Sequence, residues 1–207
     1  GYGEEIGIGF PGDALAGSVL QPVSQIGKHP LRIEDRVKKV EDGAGGLVEQ
    51  RVKFPVWFEP QAQGKTPMCT ALQAAVELIG AFLQEHPACY PPIVINISDG
   101  AATDGDPGPM GARLQGLASQ DGNALLFNLH VSARGLQPVL FPTADRDLPD
   151  DHARLLFRMS SPLPAEMLAQ AQILETSVVQ GARGFAFNAD LASVITFLDI
   201  GTRISLK

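Results

Sequence analysis

The sequence predicts an α/β fold of three layers, and three observations predict it. Residues 67–85 repeat apolar side chains at spacings of three and four, the signature of an amphipathic helix. Ile93 to Ile97 is a β-branched run that does not alternate, as expected of a strand buried on both faces of a parallel sheet. Helix and strand patterns then keep exchanging to the end of the chain, the βαβ rhythm of a layered sheet.

The elements follow in order along one predicted domain, 1–207. "GYGEEIGIGF" reads as the tail of a strand already under way, with no initiating methionine. Its glycines miss the G-x-G-x-x-G spacing and no helix follows, which excludes a dinucleotide fingerprint. "LRIEDRVKKVEDGAGG" is polar and ends in a glycine-rich turn, so 28–46 reads as a surface excursion and a candidate insertion. "GGLVEQRVKFPVWFEP" alternates as one or two strands, with Pro55 marking an edge or bulge. Phe54, Trp57 and Phe58 read as core or sheet packing, with an exposed recognition edge as the alternative, and "QAQGKTP" as a loop.

Thr66 stands where a helix N-cap belongs and Pro67 at the favoured first helical position. The helix stripe is Ala71, Leu72, Ala75, Val76, Ile79, Phe82 and Leu83, and "HPACYPP" ends it. "GPMGARLQGLASQ" predicts the next helix, with Met110, Leu114 and Leu117 on one face, and Asp106 and Pro107 as its cap and first residue. "NALLFNLHVS" is a strand and "QPVLFP" a shorter extended piece. Helices are expected in "LPDDHARLLFRMS", "PAEMLAQAQIL" and "LASVITFLDIG", with "RGFAFNA" extended between the last two.

Charge and composition narrow the function. A formal net charge of −7, from 16 basic and 23 acidic residues, argues against nucleic-acid binding. No apolar run reaches the roughly 18 to 20 residues of a membrane span, and no signal-peptide pattern is visible. Cys69 and Cys89 show neither a disulfide framework nor a zinc spacing. Two free thiols fit a reducing, cytoplasmic setting. The four histidines are scattered, and His130, in an apolar strand, reads as structural, with a place bordering the site as the alternative. Ser98 and Ser132 lack a nucleophile elbow.

Chemistry concentrates at "ISDGAATDGDP". In open α/β sheets ligands sit outside the carboxyl ends of the strands. Asp99 comes just past such an end, and Thr66 leads into the preceding helix, so both are expected to face one crevice. A carboxylate and a hydroxyl are hard oxygen donors of the kind Mg²⁺ takes while keeping several waters. On local chemistry alone, Asp99 also reads as a turn residue and Thr66 as a helix cap. Asp104 reads as a turn residue or part of a negative rim, because the EF-hand pattern is absent.

"GKTPMCTALQAAVELI", followed by "PPIVINISDGAATDGDP", resembles the von Willebrand factor type A domain over residues 46–200. The resemblance implies a doubly wound, mostly parallel sheet carrying a metal-ion-dependent adhesion site. It implies Mg²⁺, with Mn²⁺ or Ca²⁺ as substitutes, held by Thr66, Asp99 and an Asp-x-Ser-x-Ser from another loop. That motif is absent from the 207 residues, and the chain begins after the place it should occupy, so the first strand and helix are expected upstream. The implied activity is capture of a protein partner through its carboxylate, as a scaffold in a bacterial multi-protein system such as stress response or defence. Two other expectations stand beside it. One is a scaffold whose metal site has degenerated. The other is a metal-dependent hydrolase using Asp99 and Asp104.

Overall fold

A computed structural model describes residues 1–202 except 11–13, 16, 42–45, 60–63, 132–136, 176 and 190. The glycine-rich turn at 42–45, the first residues of the predicted loop, 61–63, and Ser132 therefore lie outside the described residues. Contacts divide the chain into two compact units, Gly1–Gly64 and Lys65–Lys207.

The first unit opens on a closed turn, not a strand. Tyr2 bridges Ile6, and the Gly7 amide donates to the Gly1 carbonyl at 3.0 Å. A short helix, α1 (Val23–Lys28), leads to β1 (Arg32–Glu41) and β2 (Leu47–Val56). These two strands form an antiparallel ribbon that pairs Arg32 with Val56 and Glu41 with Leu47. The polar stretch expected as an excursion is thus one strand of a hairpin. Its polarity follows from exposure, since nearly all of both strands faces water. Phe54 and Phe58 are also exposed, against the packing expected of them. Phe54 instead lies under the Arg36 guanidinium, 3.7 Å from its ring centre. Trp57 is half-buried and donates to the Ile26 carbonyl at 2.7 Å.

The second unit holds the layered sheet. Its first helix, α2 (Met68–Glu85), buries Met68, Leu72, Val76, Ile79 and Leu83 as one stripe. Then come β3 (Ile93–Ser98), α3 (Gly108–Gln115), a small hairpin of β4 (Ala118–Ser119) and β5 (Gly122–Asn123), and β6 (Leu125–His130). The helix predicted through Gln120 stops at Gln115 because Asp121 and Gly122 turn the chain, Gly122 at a φ of +147°. After β7 (Val139–Leu140) come α4 (Asp151–Met159), α5 (Ala165–Leu174), β8 (Phe185–Phe187) and α6 (Leu191–Thr202).

The strand order is β3-β6-β8-β7. β3 with β6 and β6 with β8 are parallel, and β7 with β8 is antiparallel, so the sheet is mixed and mostly parallel. Strand periodicity splits β6 between two faces. Leu125, Phe127 and Leu129 face an apolar layer that includes Met167, Leu168, Phe197 and Ile200 from α5 and α6. Gly184 lets β8 approach this layer: a Cβ there would lie 2.1 Å from the Phe127 ring.

The opposite face is built differently. Leu126, Asn128 and His130 point toward α3 and α4. Asn96 and Asn128, register partners on β3 and β6, are both buried. The Asn96 amide donates to Asn128 Oδ1 at 2.9 Å, and Asn128 donates to the Leu156 carbonyl at 3.1 Å and to Ser160 Oγ at 3.0 Å. Two buried carboxamides are tolerated here because they satisfy each other and the end of α4. One step up the same ladder, at the carboxyl edge, stand Ser98 and His130.

Candidate functional site at the carboxyl edge of the sheet

The loop that leaves β3 is stapled to the start of α2. Thr103 Oγ1 accepts from the Thr66 amide at 3.0 Å, and the Thr103 amide donates to the Thr66 carbonyl at 2.9 Å. Asp104 accepts from the amides of Cys69 and Thr70 at 3.0 and 2.9 Å, and from the Thr70 hydroxyl at 2.8 Å. Asp104 is therefore the carboxylate that caps α2. Thr66 does not fill the expected capping role: the helix begins at Met68, with Pro67 in the cap position and no side-chain cap bond from it. The left-handed Gly105, at a φ of +128°, turns the loop just beyond the capping carboxylate.

This cap sets the charge of Asp104. Burial pushes its carboxyl upward, but the Thr70 and Cys69 amides and the Thr70 hydroxyl outweigh that and hold its pKa at about 2. Burial raises the neighbouring Cys69 thiol and the Asp104 carboxylate raises it further, which makes it a poor nucleophile. Asp106 accepts from the Gly108 amide at 2.9 Å from two residues ahead of the helix start, while Pro107, expected as the first helical residue, holds the cap position.

The Thr66 hydroxyl lies beside the turn that follows β3. A Cβ placed on Gly100 would lie 3.6 Å from Thr66 Oγ1, so the Thr66 hydroxyl stands against the Asp99–Gly100 turn. Thr66 is half-buried and Asp99 is exposed. The Ser98 hydroxyl is committed elsewhere, donating to the Gly100 carbonyl at 2.8 Å and accepting from its amide at 3.3 Å. Thr66 and Asp99 thus offer two hard oxygens at a sheet edge. They suit an ion such as Mg²⁺ that is content with few protein ligands, and the remaining positions need another source. Among the described residues no group of three His, Cys, Asp or Glu is placed to hold a metal.

A second cluster borders the first. His130, at the end of β6, is 6% exposed and stacks on Phe187 with ring centres 4.9 Å apart. His152, in the first turn of α4, meets it edge to face at 5.2 Å. It also donates to the Gly100 backbone, which ties α4 to the Asp99 turn. Asp150 caps α4 by accepting from the Ala153 amide at 2.8 Å. Burial lowers the pKa of both histidines. For His130 the charge of His152 adds to this, while Asp150 and Asp99 oppose it. For His152, Asp150 and the Gly100 carbonyl oppose it. His130 is therefore more than the isolated structural residue its strand suggests. The sequence signal for His152 was weak, an Asp-Asp-His at a helix start.

No helix among the described residues is long and apolar enough to cross a membrane. No family model, curated protein or solved structure matches the chain.

Proposed function

We propose that the carboxyl-edge crevice is a metal-assisted protein-binding site. The observation that carries this reading is the approach of the Thr66 hydroxyl to the Asp99–Gly100 turn, held by the reciprocal Thr66–Thr103 bonds. Thr66 and Asp99 would hold a hard divalent ion, Mg²⁺ first and Mn²⁺ or Ca²⁺ as substitutes. The ion supplies an open position for a carboxylate from a protein partner. The resemblance to von Willebrand factor type A domains supports the same reading. Thr103 and Asp104 act on position only: they fix the two loops that carry the donors. The free thiols of Cys69 and Cys89 support a cytoplasmic setting, where a scaffold of this kind would work.

A scaffold that works without the ion is the second reading. It is favoured by the lack, among the described residues, of any three-ligand group. The hydrolase reading loses support, because both carboxylate oxygens of Asp104 are engaged at the start of α2. Calorimetry with Mg²⁺ on the full-length gene product separates the first two. Saturable binding that Asp99→Ala abolishes supports the ion site. Full partner capture in the presence of a chelator supports the metal-free scaffold.

A further inference from the structure

We infer that His130 and His152 form a second cation site, separate from the Thr66–Asp99 pair, which takes a first-row transition-metal ion such as Zn²⁺ on His130 Nδ1 and His152 Nε2. These two ring nitrogens are buried, and neither has a hydrogen-bond partner among the described residues. Such groups are costly to leave unsatisfied, so something is expected to meet them. His130 is more than nine-tenths buried, at the carboxyl edge where α/β sheets place their ligands.

Four features select a soft-to-borderline cation. The ring centres lie 5.2 Å apart. Two imidazoles on one tetrahedral zinc, with Zn–N bonds of about 2.0–2.1 Å, hold their centres about 5 Å apart. His152 gives its other nitrogen to the Gly100 carbonyl, the outer bond that orients a ligating imidazole. Burial favours the neutral ring, the form that offers a lone pair. Asp99 and Asp150 lie close enough for His130 to feel their charge, so the local potential favours a cation. Imidazole ligands choose Zn²⁺, Cu²⁺ or Ni²⁺ over Mg²⁺, which keeps this site chemically apart from the oxygen pair. Two protein ligands leave the other positions to water.

Co²⁺ tests the inference, because it takes zinc sites and reports tetrahedral nitrogen ligation by its visible absorption. Wild-type protein should bind one equivalent with that absorption. His130→Gln and His152→Gln should each weaken binding by more than about tenfold. Thr66→Val should leave the Co²⁺ absorption intact while removing the Mg²⁺ heat, so failure of one site is read separately from failure of the other. If the glutamine variants fail to fold, imidazole ¹⁵N shifts of the wild-type protein during Zn²⁺ addition decide the matter. Movement of His130 Nδ1 and His152 Nε2 supports the site. Absence of both the absorption and the ¹⁵N shifts overturns it, and leaves the two nitrogens to a bridging water only.

Discussion

The two faces of the β3–β6–β8 sheet use opposite strategies. One face is closed by Phe127, Leu129, Met167, Phe197 and Ile200. The other carries a ladder of buried polar groups, Asn96 with Asn128 and then Ser98 with His130, rising to the carboxyl edge. The apolar face supplies stability through area removed from water. The polar face fixes position: its hydrogen bonds lock β3, β6 and α4 in register and leave titratable groups at the edge. That contrast explains why both candidate cation sites lie at one end of the polar face.

Breaking the apolar face should have the largest effect. Phe127→Ala leaves a cavity between the sheet and α6 and should cost about 3–5 kcal/mol, read as a fall in the denaturant midpoint. On the polar face, Asn128→Leu removes the oxygen that accepts from the Asn96 amide and should cost about 1–3 kcal/mol. Adding Asn96→Leu should recover part of that loss, since removing both partners is cheaper than removing one. A double variant no better than the single would show that the ladder is not coupled.

Asp104→Ala tests the cap. It should cost about 1 kcal/mol in stability. It should also weaken Mg²⁺ binding, because the loop carrying Asp99 loses its anchor on Thr70 and Cys69. A variant that keeps full Mg²⁺ affinity would separate the cap from the site.

The smallest effect is a gradual one with pH. His130 and His152 have folded pKa values below the ordinary value of about 6.5, so below that pH the unfolded chain binds more protons. Their contribution is complete above about pH 6.5 and is lost as pH falls through the folded values. Asp104, held at about 2, adds a contribution that is complete above about pH 4 and lost on the way down to about 2. Urea midpoints between pH 8 and 3 should show the histidine loss first and the start of the Asp104 loss next. Replacing both histidines with leucine should remove the first.

The sequence revealed the second unit better than the first. Helix α2 and strand β3 are legible because a stripe at three-four spacing and an unbroken β-branched run each encode burial locally. The ribbon of β1 and β2 is harder to read, since two exposed strands need no apolar alternation. The rule that ligands gather at carboxyl ends pointed to Thr66 and Asp99, and the Thr66 hydroxyl does stand beside Gly100. The capping role went to the wrong residue. Local rules favour the threonine before Pro67, whereas the true cap, Asp104, lies 34 positions beyond Thr70 and reaches it only in the folded chain. The histidine pair was hidden for the same reason: His130 and His152 belong to different elements, and no periodicity links them.

The most direct measurement is paramagnetic broadening by Mn²⁺, followed on assigned amide resonances at substoichiometric ion. The account predicts that Thr66, Asp99, Gly100 and Thr103 broaden first and together, and that Asp99→Ala removes the effect. Broadening spread evenly over exposed carboxylates such as Asp147 and Asp151, with the Asp99–Gly100 turn and Thr66 unaffected, would contradict it.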